Sequence, residues 1–454
     1  MDYEDGRRRT PVHQSGALWL QARLGDRVFR FQELTGGLAG ELAVVAASTI
    51  AFQATSLLVQ LLLARMLGPR DYGDWSLLLV AATYLSYLQL GVSNAMNREI
   101  PFCIGAGELE RVERIRAIAL SGTVLGAILG VVALLLLPRA WFGAGTTVGV
   151  LAATALFVVA SQLWTYVVTY LQSMRRFGSF SWVQGGLAVA TLCIALPAAR
   201  RWGVSGAMLG LAIAYAGASW IGWVVGGIRS RPRFNLREWV ALVRVGLPIM
   251  LVGIGYAVLT TIDRWVIREY LGSAAVGLYS FQTRLVSVSV LLCGLVASLM
   301  YPRMAELWGR TRDVRHLRHL IYVQVGLSLG LTAAAAIMML LVLPWAIPRF
   351  WPEYAPSLVF LPVMILGMTF LPLCAVFGVV LNVVDRQVPY LLVQVLVIGV
   401  GAALSITVTR ATRSLTGTAA AAAATYGLYL LLLIAMSVVV LQRLPQRGVD
   451  PGET

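Results

Sequence analysis

The sequence predicts an all-α polytopic membrane protein with about twelve transmembrane helices in two parallel six-helix repeats. Three observations predict it. Hydrophobic residues make up 58% of the 454 residues and charged residues only 13%, about half the charge of a soluble domain. Apolar runs near 20 residues recur from Leu42 to Leu441, each long enough to cross a bilayer. The string Leu67-Gly68-Pro69-Arg70-Asp71-Tyr72-Gly73-Asp74-Trp75-Ser76 returns 204 residues later as Leu271-Gly272-Ser273-Ala274-Ala275-Val276-Gly277-Leu278-Tyr279-Ser280.

Hydropathy places spans one to six at 42–64, 75–96, 117–137, 147–171, 181–198 and 204–227, and spans seven to twelve at 240–262, 276–300, 320–343, 357–382, 388–409 and 417–441. Each copy of the Leu-Gly-x4-Gly-x-aromatic-Ser string follows the first span of its half. The same offset carries Arg111 and Arg114 onto Arg315 and Arg318. Six spans separate the copies. Six is even, so both copies emerge on one face, and the halves are related by an axis along the membrane normal.

The net charge of +15 would suggest nucleic acid in a soluble protein. Here it reads as topology. All 36 basic residues are arginine. With the N-terminus inside, 25 arginines fall in inner segments and 10 in outer ones, and Arg284 stands alone within span eight. The positive-inside rule then puts both termini in the cytoplasm, with the chain in a plasma membrane and no nucleic acid as partner.

The expected units are a cytoplasmic leader, 1–41, a first lobe, 42–227, a basic linker, 228–239, a second lobe, 240–441, and a tail, 442–454. Within the leader, Leu20, Leu24, Val28 and Phe31 share one helical face, and Arg23, Arg27 and Arg30 lie beside it, the pattern of an interfacial helix over 17–34. No cleavable signal peptide is evident ahead of the first apolar run. Cys103, Cys193, Cys293 and Cys374 are dispersed in or beside spans and read as small packing residues. Pro362 and Pro372 fall within span ten and predict kinks.

Much chemistry is excluded. Without lysine there is no P-loop and no Schiff base. His316 and His319 have no Cys or carboxylate cluster beside them, so no metal site is expected, and no cofactor. Outer connections are short, leaving no room for a catalytic subdomain. Asp71 and Asp74 are expected to cap span two.

Polar residues inside spans are the positive signal. An arginine at mid-membrane costs about 2.5–3.5 kcal/mol on insertion scales. Arg284 should therefore face the protein interior or water. Its guanidinium suits a phosphate or carboxylate on a substrate; an ion pair with Asp263, or snorkelling to the outer interface, are the alternatives. Gln53 and Gln60 share a face of span one, and Tyr84, Tyr87 and Tyr256 offer hydrogen bonds to sugars, although such groups also join helices. Asp263 and Arg264 close span seven at the outer end and are expected to gate or couple.

Ala64-Arg65-Met66-Leu67-Gly68-Pro69-x-x-Tyr72-Gly73-x-Trp75-Ser76 resembles the first-span signature of bacterial polysaccharide flippases. These are the O-antigen and exopolysaccharide transporters of the multidrug/oligosaccharidyl-lipid/polysaccharide exporter superfamily. Leu90-Gly91-x-x-Asn94-Ala95-x-x-Arg98-x-x-Pro101, Leu171-Gln172 with Arg176, and Leu381-Asn382 with Arg386 support the likeness. The resemblance implies a two-lobe fold like that of the multidrug and toxin extruders (MATE), working by alternating access. It implies a cell-surface polysaccharide pathway, with an undecaprenyl-diphosphate-linked oligosaccharide as cargo and membrane lipid, a polymerase and other assembly proteins as partners. Within the signature, Arg65 joins Asp263 and Arg264 as a gate or coupling residue. An ion-coupled multidrug exporter of the same fold is the alternative, but it would want deep carboxylates. A membrane-embedded polymerase or ligase, or a non-transporting assembly partner, fits less well.

The arginine bias sets a topology that labelling can test. Single cysteines at Gly145 and Thr412 should react with an impermeant maleimide from outside intact cells, and one at Gly107 should not. Labelling at Gly107 would reverse the orientation.

Overall fold

The computed structural model describes residues 38–443 except 139–141, 143–146, 312–313 and 385. The expected interfacial helix at 17–34 lies outside the described residues. Among them there is no strand, and ten helical stretches are long and apolar enough to cross a membrane. Two of the ten hold two crossings each. Ala47–Gln89 breaks at Gly68, and Phe177–Val225 breaks at Trp202 and Gly203. Twelve crossings result, in the order hydropathy predicts.

Spans one to six pack mainly on one another: span four on six, three on four, and one on five and six. Spans seven to twelve do the same, with ten on twelve and on eight, eight on nine, and eleven on twelve. Small residues permit these approaches. Gly367 of span ten lies against the Ala423 backbone, with only 3.0 Å from an added Cβ to the Ala423 Cα. Spans one and two also meet span eight, and span two meets span seven. One buried apolar cluster crosses between the sets, joining Leu63, Tyr72 and Trp75 to Phe281, Ile347 and Tyr354.

That crossing is a seam between the two copies of the repeated string, and the structure gives a reason for each repeated residue. Gly68 (φ 70, ψ 170) and Gly272 (φ 84, ψ 177) hold the same backbone conformation, one essentially confined to glycine. It turns the chain sharply between two crossings. Gly73 and Gly277 then press each onto the other copy. A Cβ on Gly277 would lie 1.7 Å from the Pro69 carbonyl oxygen, and one on Gly73 would lie 2.0 Å from that of Ser273. Pro69 and Ser273 are themselves repeat equivalents, so the contact is reciprocal about a two-fold relation. On that relation the hydroxyls of Ser76 and Ser280 meet at 2.9 Å. Trp75 and Tyr279 are both buried beside it.

Two expectations change. Asp74 does not cap span two: it is buried and accepts a hydrogen bond from the Ser273 hydroxyl across the seam, while Asp71 is exposed. Cap positions and seam positions look alike in sequence, because both follow a turn. Pro362 lies in the first turn of the helix Leu361–Val383, where its missing N–H costs no hydrogen bond; only Pro372 sits in that helix's interior.

Gly277→Ala and Gly73→Ala should each lower stability by about 1–3 kcal/mol or more, because neither contact atom is a side chain that can move aside. Gly294→Ala, which meets open space, should stay within about 0.5 kcal/mol. Melting of the purified protein in detergent measures both.

Candidate functional site

The polar centre of the molecule is built on an interruption in span seven. The helix Leu236–Leu259 stops, Thr260 and Thr261 leave the helical path, and a second helix runs Ile262–Leu271. Hydropathy ends span seven at residue 262 and so predicts an outer location for Asp263 and Arg264. The helix instead continues, and both residues fall within the membrane-crossing stretch Leu236–Leu271. Arg264 precedes Gly272 by about 12 Å of helix. Charged residues lower local hydropathy, and the sequence reading therefore ends the span early.

The Asp263 carboxylate is fully engaged. One oxygen accepts the Arg264 backbone N–H at 2.9 Å, and the other accepts the Tyr279 hydroxyl. It faces the second half, beside Tyr426 and Thr425. Arg284 lies about 16 Å of helix beyond Ser273, near mid-membrane. Its Nη2 donates to the Ser56 hydroxyl at 3.4 Å, and Gln60 Nε2 donates to the same oxygen at 3.3 Å. Its charged and titratable neighbours are Tyr72, Tyr215 and Arg264. The Nε atoms of Arg264 and Arg284 are both buried without a hydrogen-bond partner. Neither guanidinium pairs with a described carboxylate.

The seam end above this centre is shut. Trp351 Nε1 donates to the Leu61 carbonyl, and the Tyr354 hydroxyl to that of Ala64, both at 2.9 Å. Ala64 lies in the last turn before the Gly68 break, where helical carbonyls lose their partners. The Tyr354 ring packs on Phe281 at 4.3 Å and edge-on to Tyr72.

Toward the other end, where the basic loops lie, the two sides differ. Spans two and seven touch: a Cβ on Gly246 would lie 1.9 Å from the Gly91 oxygen. The repeat equivalents of this pair in sequence are Leu295 and Leu42, not glycines. On that side span one leans away onto span five, through Ser48 to Ser181 at 3.0 Å and Thr49 to Gln184 at 3.4 Å. Span eight leans onto span nine, where the Cys293 thiol meets the Ser328 carbonyl at 3.7 Å. Ile50, Leu58 and Leu292 are exposed along it.

The family model described as polysaccharide biosynthesis protein matches residues 39–308. The chain belongs to that family. No curated protein sequence matches it. Its fold is like that of solved transporters of low sequence identity. A multidrug resistance MATE family transporter of the MOP superfamily, in an inward-facing conformation, superimposes with a TM-score of 0.71 at 12% identity, over 86% of this chain and 95% of that one. The lipid II flippase MurJ, inward closed, gives 0.68 at 14% over 88% and 92%. The Vibrio cholerae MATE transporter VcmN gives 0.62 at 13% over 90% and 98%.

The structure brings Arg284, Gln60 and Arg264 toward one centre, with Gln53 on the same face of span one as Ser56 and Gln60. Tyr84 lies near Arg264, but its hydroxyl is taken by Thr261 Oγ1 at 2.6 Å, a bond between span two and span seven. Tyr87 lies against Gly253 of span seven. Tyr256 turns the other way, toward Cys374 and Tyr390 of the second half. Arg65 is exposed near the seam. Tyr72, Tyr215 and Ser56 complete the centre and were not legible as such. Tyr72 sits inside the repeat and reads as part of a turn, and a lone Tyr or Ser in an apolar run carries no positional signal.

The Tyr84–Thr261 bond joins the two sets of spans. In a double-mutant cycle, Tyr84→Phe with Thr261→Val should show a coupling of about 0.6 kcal/mol, and no more than about 1.7. Unfolding from detergent reads it; additivity would mean that the bond does not join the halves in solution.

Proposed function

We propose that the protein carries an undecaprenyl-diphosphate-linked oligosaccharide across the plasma membrane, by alternating access of its two halves, for cell-surface polysaccharide synthesis. One observation carries this reading. Two guanidinium groups, Arg264 and Arg284, lie within each other's electrostatic reach in the membrane interior, with buried Nε donors and no ion-paired carboxylate, although Asp263 lies within reach of Arg264. Each is costly to insert, and like charges add repulsion. A diphosphate would relieve both costs, because its oxygens accept the paired donors of a guanidinium fork. Gln53, Gln60 and Ser56 line the approach with groups that suit sugar hydroxyls.

The contact pattern also favours a cargo with a lipid tail. The glycine pair holds spans two and seven together, while toward the basic loops span one packs on span five and span eight on span nine. A tail that stays in the bilayer needs a lateral opening. An ion-coupled drug exporter is less well supported, because Asp263 is held by Tyr279 and the Arg264 backbone and turns away from the centre. The seam end is taken as the outer face, so the closed seam is an inward-facing state with both termini cytoplasmic.

Arg284→Ala should lower surface polysaccharide at least tenfold at unchanged membrane abundance, with lipid-linked oligosaccharide accumulating inside. Arg284→Lys should restore it only in part, since the fork is lost. Arg264→Gln should behave like the alanine variant. Normal export by Arg284→Ala would remove the binding role and leave the residue as an anchor.

A further inference from the structure

The linker between the halves borders a second cationic site, an open cleft that the transport reading does not use. After span six ends at Val225 the chain runs without regular structure to Asn235, which caps the helix Leu236–Leu259. On this stretch Arg229, Arg231 and Arg233 line a cavity of about 660 Å³, together with Arg114 and Arg116 at the start of span three. Glu110 and Glu113 are the carboxylates on the same wall. Five guanidiniums against two carboxylates leave the cavity with an excess charge of +3.

The walls are fixed rather than loose. Arg116 Nε donates to the Ser230 hydroxyl at 3.2 Å, and its guanidinium lies 4.9 Å over the Tyr170 ring. The Tyr166 hydroxyl donates to the Arg116 carbonyl at 3.2 Å. The Arg233 backbone N–H reaches the Ala117 carbonyl at 3.4 Å, and Arg176 binds the Gly226 carbonyl. The charge is not neutralised within the protein. Arg111, outside the cavity, pairs with Glu99 and Glu108, whereas none of the five cavity arginines pairs with a described carboxylate. The positive-inside rule needs arginines somewhere in these loops. It does not need five of them to converge on one cleft of small-molecule size, with Arg116 held in place by Ser230 and Tyr170.

We propose that this cavity binds the phosphate group of an anionic ligand and that occupancy fastens the linker to the first half. Guanidinium forks match phosphate oxygens two at a time. Phe234 and Leu236, both exposed, and Trp239 follow directly in sequence, giving an apolar ledge where acyl chains can lie. That composition belongs to a membrane interface, where basic pockets between helices take anionic lipid head groups. A soluble polyphosphate offers the same chemistry without the tails. Because the linker is the covalent joint between the halves, a ligand there biases their relative movement without entering the central cleft.

The test uses purified full-length protein in a neutral detergent, titrated with cardiolipin, phosphatidylcholine or inorganic pyrophosphate and followed by native mass spectrometry. Cardiolipin should bind at least tenfold more tightly than phosphatidylcholine. The triple variant Arg229→Gln, Arg231→Gln, Arg233→Gln should lose at least tenfold, and the corresponding triple lysine variant should lose less. Glu110→Gln with Glu113→Gln should tighten binding severalfold, a gain that misfolding cannot produce. Binding of pyrophosphate that competes with cardiolipin assigns a soluble phosphate; cardiolipin binding without such competition assigns a lipid. Arg284→Ala should leave this binding unchanged, separating it from the transported cargo. Wild-type affinity in the glutamine triple, equal affinity for phosphatidylcholine, or no binding of either phosphate probe would overturn the proposal.

Discussion

The reciprocal backbone contact between Gly73 and Gly277 is the constraint from which the rest of the architecture follows. Each glycine lies where a methyl group would fall inside 2.1 Å of a carbonyl oxygen on the other copy. Such an approach needs both glycines, and it needs the Gly68 and Gly272 turns that bring the two strings to the same level. Once they meet, Ser76 and Ser280 pair across the axis, and Asp74 is satisfied by Ser273. Buried polar groups in a membrane protein must find partners within the protein, and here the repeat supplies each copy's partner from the other. The seam thus closes one end of the molecule and fixes the spacing of spans one, two, seven and eight around the centre below it.

Departures from the two-fold relation concentrate at the polar centre. Arg264 is the repeat equivalent of Gln60, and Arg284 of Val80. The second half therefore supplies both charges, while the first supplies Ser56 and Gln60 as neutral donors and acceptors. The interruption at Thr260 and Thr261 has no counterpart in span one, whose helix runs unbroken to Gly68. Discontinuous helices at mid-membrane are tolerated only where they line a polar centre. A second departure separates the sides of the cleft. Gly91 and Gly246 permit contact between spans two and seven, whereas span one packs on span five and span eight on span nine.

Cationic charge is handled in two ways in this chain. At the centre, two arginines stand in low dielectric without an ion-paired carboxylate, where their cost is high and a bound anion changes the energy most. At the linker, five arginines surround a water-accessible void, where each costs little and only their convergence is notable. The first arrangement is suited to a cargo that must be gripped and released, and the second to a ligand that stays. All of these positions are arginine rather than lysine, consistent with planar recognition of oxyanions at both levels.

The sequence by itself determined the membrane class, the number and order of crossings, the parallel repeat and the family, because apolar length and a ten-residue string are local properties. It also pointed to Arg284, since a lone charge in an apolar run is conspicuous wherever the run folds. Tertiary structure alone decided which groups meet. Asp74 reads as a cap in sequence and becomes a seam ligand only when Ser273 arrives from 199 residues away. Arg264 reads as a span end and becomes a central charge because the helix restarts after Thr261. Tyr84 and Tyr256 read as equivalent sugar contacts, yet one joins the halves and the other turns into the second. Hydropathy records the average polarity of a segment. It does not record the rotation of a helix about its axis, and in a bundle that rotation is fixed by which neighbour can come close enough to satisfy each polar group.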